Sequence, residues 1–130
     1  MNKGFTLLQI LLVVSLISVL AGLAAFQFSS VIDQIKLSAV ARTIAQDLRA
    51  AQIRAQSTHT LQQLVFERTS YSSRGVIKKI PPPVEVATPQ TIRFGITGLP
   101  QPGYFGSLSL VCRGKIKLII LSPAGRVRIE

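Results

Sequence analysis

A chain of 130 residues with fifteen Lys and Arg against five Asp and Glu, a formal net charge of +10, has room for one compact domain and one extended element, and its charge favours acidic surfaces and polyanions as neighbours. A single cysteine excludes an intramolecular disulfide, and a single histidine with five scattered acids leaves no usual metal cluster or nucleophile–base pair, so the chain reads as neither an enzyme nor a cofactor binder. The 48% of hydrophobic residues are unevenly spread: no charged side chain falls between Gly4 and Ile32, whereas the residues from Asp33 onward hold fourteen of the fifteen cations and all five acids, leaving that part at +9.

The chain opens Met1-Asn2-Lys3-Gly4-Phe5-Thr6-Leu7-Leu8-Gln9, one basic residue followed at once by an apolar run. Between Ile10 and Phe28, twelve of nineteen residues are Leu, Ile, Val or Phe. Each favours mid-bilayer insertion by roughly 0.3–0.6 kcal/mol, about 5 kcal/mol in all. About 20 helical residues cross a hydrocarbon core, and Ser15, Ser18 and Gly22 are small enough to let helices approach closely in lipid. Residues 5–28 are therefore predicted to be the transmembrane half of a helix. A secretory signal peptide cleaved near Ala21–Ala25 is the rival reading, and it fits less well because Gly4-Phe5 separates the charge from the apolar run and the helical pattern continues past Phe28.

Residues 1–9 resemble a class III prepilin leader, a short basic peptide ending in Gly and followed by Phe, Thr, Leu and a hydrophobic helix. The resemblance implies that residues 1–4 are a leader, and that a membrane prepilin peptidase cuts between Gly4 and Phe5 and methylates the new amino terminus. Lys3 beside that bond suits the cytoplasmic edge of the membrane. Most pilins carry Glu where this chain has Gln9, a carboxylate thought to neutralise a neighbouring amino terminus in the filament. Gln9 exchanges hydrogen bonds but carries no charge, which implies a subunit other than the bulk filament component, either one at the tip or a rare one in which Gln is tolerated.

From residue 29 to 56, Leu37, Val40, Ile44, Leu48, Ala51 and Ala55 recur every three or four positions while Lys36, Arg42, Asp47, Arg49 and Arg54 fall mostly elsewhere on the wheel. This spacing predicts an amphipathic continuation of the same helix. No proline precedes Pro81, so one helix from Phe5 to Gln56 is expected, about 78 Å long at 1.5 Å per residue. The run Ser57-Thr58-His59-Thr60 ends it, with His59 a solvated residue at the helix end.

Residues 57–130 are predicted to be a β-rich head, because the period changes to two and turn residues multiply. The candidate strands are Leu61–Glu67, Gly75–Ile80, Thr91–Ile96, Ser107–Cys112, Lys115–Leu121 and Arg126–Glu130. Pro81–Pro83 reads as an extended connector and Gly98–Gly106 as a surface loop. The glycines of that loop precede no Lys-Ser pair and no helix start, which argues against a phosphate loop.

Parity registers the last three strands. Placing Leu108, Leu110 and Cys112 on the inner face and opposing them to Ile116, Leu118 and Ile120 requires a three-residue loop at Arg113-Gly114-Lys115. Ser122–Gly125 then sets Val127 against Ile120 and Ile129 against Leu118. In this register Cys112 is a small core thiol, Lys117, Arg126 and Arg128 face outward, Arg113 and Lys115 stand at the tip, and Glu130 lies beside Lys117.

The helix around Asp47-Leu48-Arg49-Ala50-Ala51, then Thr91-Ile92-Arg93-Phe94, a Gly-rich turn and the closing Gly125-Arg126-Val127-Arg128 resemble the GspH/FimT family of minor pseudopilins and minor pilins. The resemblance covers nearly the whole chain and implies an α+β fold, a long N-terminal helix packed on a small antiparallel sheet domain. It also implies a single-pass protein of the cytoplasmic (inner) membrane, with its head outside the cytoplasm and other pilins as partners through the helix. Two functions follow from it: a structural subunit of a type II secretion pseudopilus or type IV pilus, or a DNA-binding subunit in natural transformation. For the second, Arg113, Lys115, Lys117, Arg126 and Arg128 are the candidate DNA-binding residues, since clustered cations release counterions from phosphates without reading sequence. Cations on outward strand positions also occur simply as a solvated face that protects a sheet edge.

Overall fold

The computed structural model describes residues 6–130, and of Phe26 and Gln27 the backbone alone. The leader 1–4 and the predicted cleavage pair Gly4–Phe5 lie outside the described residues. The fold is α+β: one helix, α1 (Leu7–Thr58), precedes eight strands, β1 (Gln62–Phe66), β2 (Ser70–Ser73), β3 (Val76–Lys79), β4 (Glu85–Val86), β5 (Gln90–Phe94), β6 (Gly106–Cys112), β7 (Lys115–Leu121) and β8 (Val127–Ile129). By internal contacts the chain divides at Ile32–Asp33 into two units.

In the first unit α1 starts where Thr6 and Gln9 cap it. The Thr6 carbonyl accepts from Gln9 N at 2.9 Å and Ile10 N at 3.3 Å, while the Gln9 side-chain oxygen accepts from Thr6 N at 3.1 Å. A Thr followed three residues later by Gln is the capping-box spacing, and its reach back satisfies a backbone donor that the first helical turn leaves orphaned. Beyond the cap, the large apolar side chains from Leu7 to Leu23 are between 47% and 81% exposed. Ser15 and Ser18 donate back to the carbonyls of Leu12 and Val14, each at 2.8 Å, so neither hydroxyl asks for water. This helix is long and apolar enough to cross a membrane.

The second unit is built on the rest of α1. All six positions of the expected stripe, Leu37, Val40, Ile44, Leu48, Ala51 and Ala55, are buried, joined by Ala41 and Ala45 in the same face. The six and Ala41 form one core with Leu64, Phe66, Ile92 and Phe94 of one sheet and Leu108, Leu110, Cys112, Ile119 and Leu121 of the other. α1 runs two residues beyond Gln56, and His59 then takes a left-handed conformation (φ +52°), the backbone state that ends many helices.

The strands form two four-stranded antiparallel sheets, ordered β3-β2-β1-β5 and β4-β6-β7-β8. All six expected strands are present, Lys115–Leu121 with the expected bounds and the other five with shifted ends. Two strands were not expected, β2 and the two-residue β4. The turn Arg74-Gly75, with both residues at positive φ, folds β3 back on β2 and pairs Ser73 with Val76. Pro81–Pro83 is no extended connector: Val84 N donates to the Pro81 carbonyl at 3.2 Å, closing a turn that contains a cis Pro82–Pro83 bond. In the stretch expected as a surface loop, Gly98 and Pro100 are buried and Pro100 bridges to Phe94.

The register of the last meander differs from expectation by one residue. β6 and β7 are joined by two residues, Arg113 and Gly114, both at positive φ (45° and 83°), so Cys112 opposes Lys115, Leu110 opposes Lys117 and Leu108 opposes Ile119. Ile119 and Leu121 are the inward pair, and Ile116, expected inside, is 66% exposed. Val127 opposes Leu121 and Ile129 opposes Ile119. A two-residue turn of this hand matches the right-handed twist of paired strands, which a looser three-residue connection need not.

The first sheet is clasped to α1 by a polar cluster. Asp47 accepts from the Tyr71 hydroxyl and from Lys78 Nζ at 2.7 and 2.9 Å, and Tyr71 stacks on Phe66 with ring centroids 5.4 Å apart. Burial first, and then the hydrogen bond to Asp47 and its charge, push the Tyr71 hydroxyl well above the ordinary tyrosine range. The folded state thus holds this proton more tightly than the unfolded chain does. Its stabilisation is complete below the unfolded value of about 10 and is lost as pH rises from there toward the folded value. Unfolding midpoints measured across that alkaline range should therefore fall more steeply for the wild type than for Tyr71→Phe.

Candidate functional site

The five cations expected to form one basic face are placed by the turns around them. At the β6–β7 tip, Arg113 reaches α1, its Nη1 lying 3.4 Å from Oδ2 of Asp33, a carboxylate on a residue only 8% exposed. The one-residue register difference turns Lys115 and Lys117 to the face that carries Cys112 and Leu110, the side toward the helix. Lys117 Nζ donates to Ser38 Oγ at 3.0 Å. The expected outward position of Lys117, on one face with Arg126 and Arg128, is therefore corrected, whereas Glu130, whose backbone exchanges hydrogen bonds with Leu118, does line one cleft with Lys117. Whenever pairing slips by one residue, every side chain of the strand changes face.

Arg126 and Arg128 do stay on the outward parity of β8, and both are exposed. The turn before them is closed by Gly125 N donating to the Ser122 carbonyl at 2.9 Å and Ser122 N donating to the Arg126 carbonyl at 3.0 Å. Gly125 has φ +79°, a backbone conformation in which a side chain would be strained, and a Cβ there would also oblige the end of the Gln52 side chain to move aside. The helix brings a further cation to this strand: Arg49 Nη2 donates to the Val127 carbonyl at 3.4 Å. No local signal in the sequence could have linked Arg49 to a strand 78 positions on.

The other motif quoted for the family resemblance divides cleanly by parity. Ile92 and Phe94 are buried, while Arg93 lies on the opposite face with its guanidinium 4.6 Å from the centroid of the Tyr104 ring, within cation–π range. At the other end of the chain Gln9 is engaged within its own first turn, capping Thr6, a role that the spacing Thr6-x-x-Gln9 signals and that the family resemblance does not suggest.

What these groups can do is bind. Three guanidinium groups around β8, from Arg49, Arg126 and Arg128, suit phosphate oxygens. Among the described residues no three His, Cys, Asp or Glu side chains gather as metal ligands would, and Cys112 is a buried free thiol. Compared with known proteins, the chain matches no family model, no curated protein and no solved structure.

Proposed function

We propose that this chain is a minor pilin or minor pseudopilin, a non-catalytic structural subunit that joins or caps a type IV pilus or type II secretion pseudopilus. The observation that carries the reading is the division of labour along α1. Its first part leaves a run of large apolar side chains uncovered, and its second part is the buried spine of a small two-sheet unit. An uncovered apolar surface of that extent calls for lipid or other apolar helices. The leader-like residues 1–9 supply the route: prepilin peptidase would cut between Gly4 and Phe5 and the helix would remain as anchor, with Lys3 on the cytoplasmic side of the inner membrane and the globular unit outside it. The test is mass spectrometry of the protein extracted from membranes. A mature chain beginning with methylated Phe5 is expected, and one beginning near Ala25 would replace this reading with an ordinary secreted protein.

A second reading, capture of DNA, is favoured by one observation, the convergence of Arg49 with Arg126 and Arg128 on β8. Duplex DNA should then bind weakly and without sequence preference, with affinity falling steeply as salt rises. Replacing both Arg126 and Arg128 by Ala should reduce the salt slope by about one for each phosphate that is no longer neutralised. Titration of the full chain at low ionic strength without any binding would remove this reading and leave the structural one in place.

A further inference from the structure

We propose that the tip of the β6–β7 hairpin is a membrane-surface contact, in which Arg113 and Lys115 meet the phosphates of anionic lipid headgroups and Ile116 enters the interfacial layer beside them. The proposal rests on the reading of α1 as a membrane anchor.

Its first support is the chain itself. No charged residue occurs between Gly4 and Ile32, and Asp33 follows directly. The helical turn that leaves an apolar layer is therefore the one beginning at Asp33, and the five-residue step to Ser38 rises only about 8 Å. The second support is that the tip of the hairpin is fastened at this turn. Arg113 pairs with Asp33, Lys117 bonds Ser38, and Ile116 lines the same cleft as Gln34 and Leu37. The third is the composition of the tip. The register that turned Lys117 toward the helix turned Ile116 outward, where it is 66% exposed, while the Arg113 side chain is 68% exposed despite its ion pair.

An exposed isoleucine between cations has no use on a phosphodiester backbone. A bilayer interface takes both, apolar carbons at the acyl boundary and ammonium or guanidinium groups at the phosphates. Glu130 is an acid on the same cleft and opposes this attraction, and Asp33 lies beneath Arg113. Arg113, Lys115 and Lys117 outnumber the two, so anionic lipid strengthens the contact.

The chain contains no tryptophan, so one introduced indole reports one place. Full-length Ile116→Trp, reconstituted in phosphatidylcholine vesicles with and without phosphatidylglycerol, should emit at shorter wavelength than in detergent-free denaturant. It should also lose intensity to lipids brominated at the top of the acyl chain, more so with phosphatidylglycerol. Adding Arg113→Glu and Lys115→Glu to this variant should abolish the dependence on phosphatidylglycerol. Leu16→Trp reports the anchor, and Phe105→Trp reports the far end of β6 from the tip. If Leu16→Trp is quenched and Ile116→Trp emits as in water, the proposal is overturned and the anchor stands. If neither is quenched, both fall. Equal quenching of Ile116→Trp and Phe105→Trp would overturn a tip-specific contact, as would an Ile116→Trp signal that answers to duplex DNA and not to lipid.

Discussion

Phe94→Ala is expected to destabilise the globular unit by about 3–5 kcal/mol, because a buried phenyl ring leaves both its transfer energy and a cavity behind. Phe94 is fully buried at the end of β5, opposite Gln62, where Pro100 also bridges to it. The ring lies in the core shared by α1 and both sheets, and the backbone that carries it pairs with β1 on one side and with the returning loop on the other. Neither side can collapse into the space without breaking strand pairing, which places the cost toward the upper end of that range. For a unit of this size each kcal/mol moves the melting midpoint by roughly 4–8 °C, so a drop on the order of 15 °C or more should be seen by circular dichroism of the detergent-solubilised chain. A drop within a few degrees would mean that Phe94 is not the shared element of sheet and loop.

Leu48→Ala should cost about 2–5 kcal/mol by the same reasoning, since Leu48 is fully buried in the middle of the helical stripe. The informative comparison is Ile53→Ala, five residues along the same helix but 64% exposed. Isoleucine has the lower helix propensity, so that change should be neutral within about 0.5 kcal/mol. Both variants keep the helix and remove a branched apolar side chain; they differ only in the face they occupy. Equal losses would mean that α1 contributes to stability by being helical, and a large loss at Leu48 alone means that it contributes by packing. Chemical denaturation of the two variants with an unchanged slope against denaturant would keep the comparison clean.

The docked face of α1 was legible because a helix repeats every 3.6 residues. Six apolar positions at that spacing define one face whatever packs against it, and all six are buried. The strands were legible where apolar residues alternate over five or more positions, as in β1, β5 and β6. β2 escaped because Tyr71 is the one large apolar side chain among Ser70, Ser72 and Ser73, and β4 because two residues have no period. Its neighbours offered a clue in Arg74-Gly75, the same pair that turns β6 into β7 at Arg113-Gly114. At the candidate basic site, Arg126 and Arg128 were legible from β8 alternation, whereas Lys117 was assigned to the wrong face and Arg49 was not found.

By itself, then, the sequence determined an apolar run free of charge, a helix with one greasy face behind it, and an antiparallel β region closing on Gly125-Arg126-Val127-Arg128. These follow from composition and period, which are properties of neighbours along the chain. Tertiary structure alone decided the register of β7. Ile116, Leu118, Ile119, Ile120 and Leu121 supply apolar side chains to both faces, so hydrophobicity accepts either alternation, and the choice falls to a two-residue turn that requires left-handed backbone at Arg113. That one residue of slip sends Lys117 to Ser38 and Ile116 to the surface, because side chains on a strand have only two directions to point.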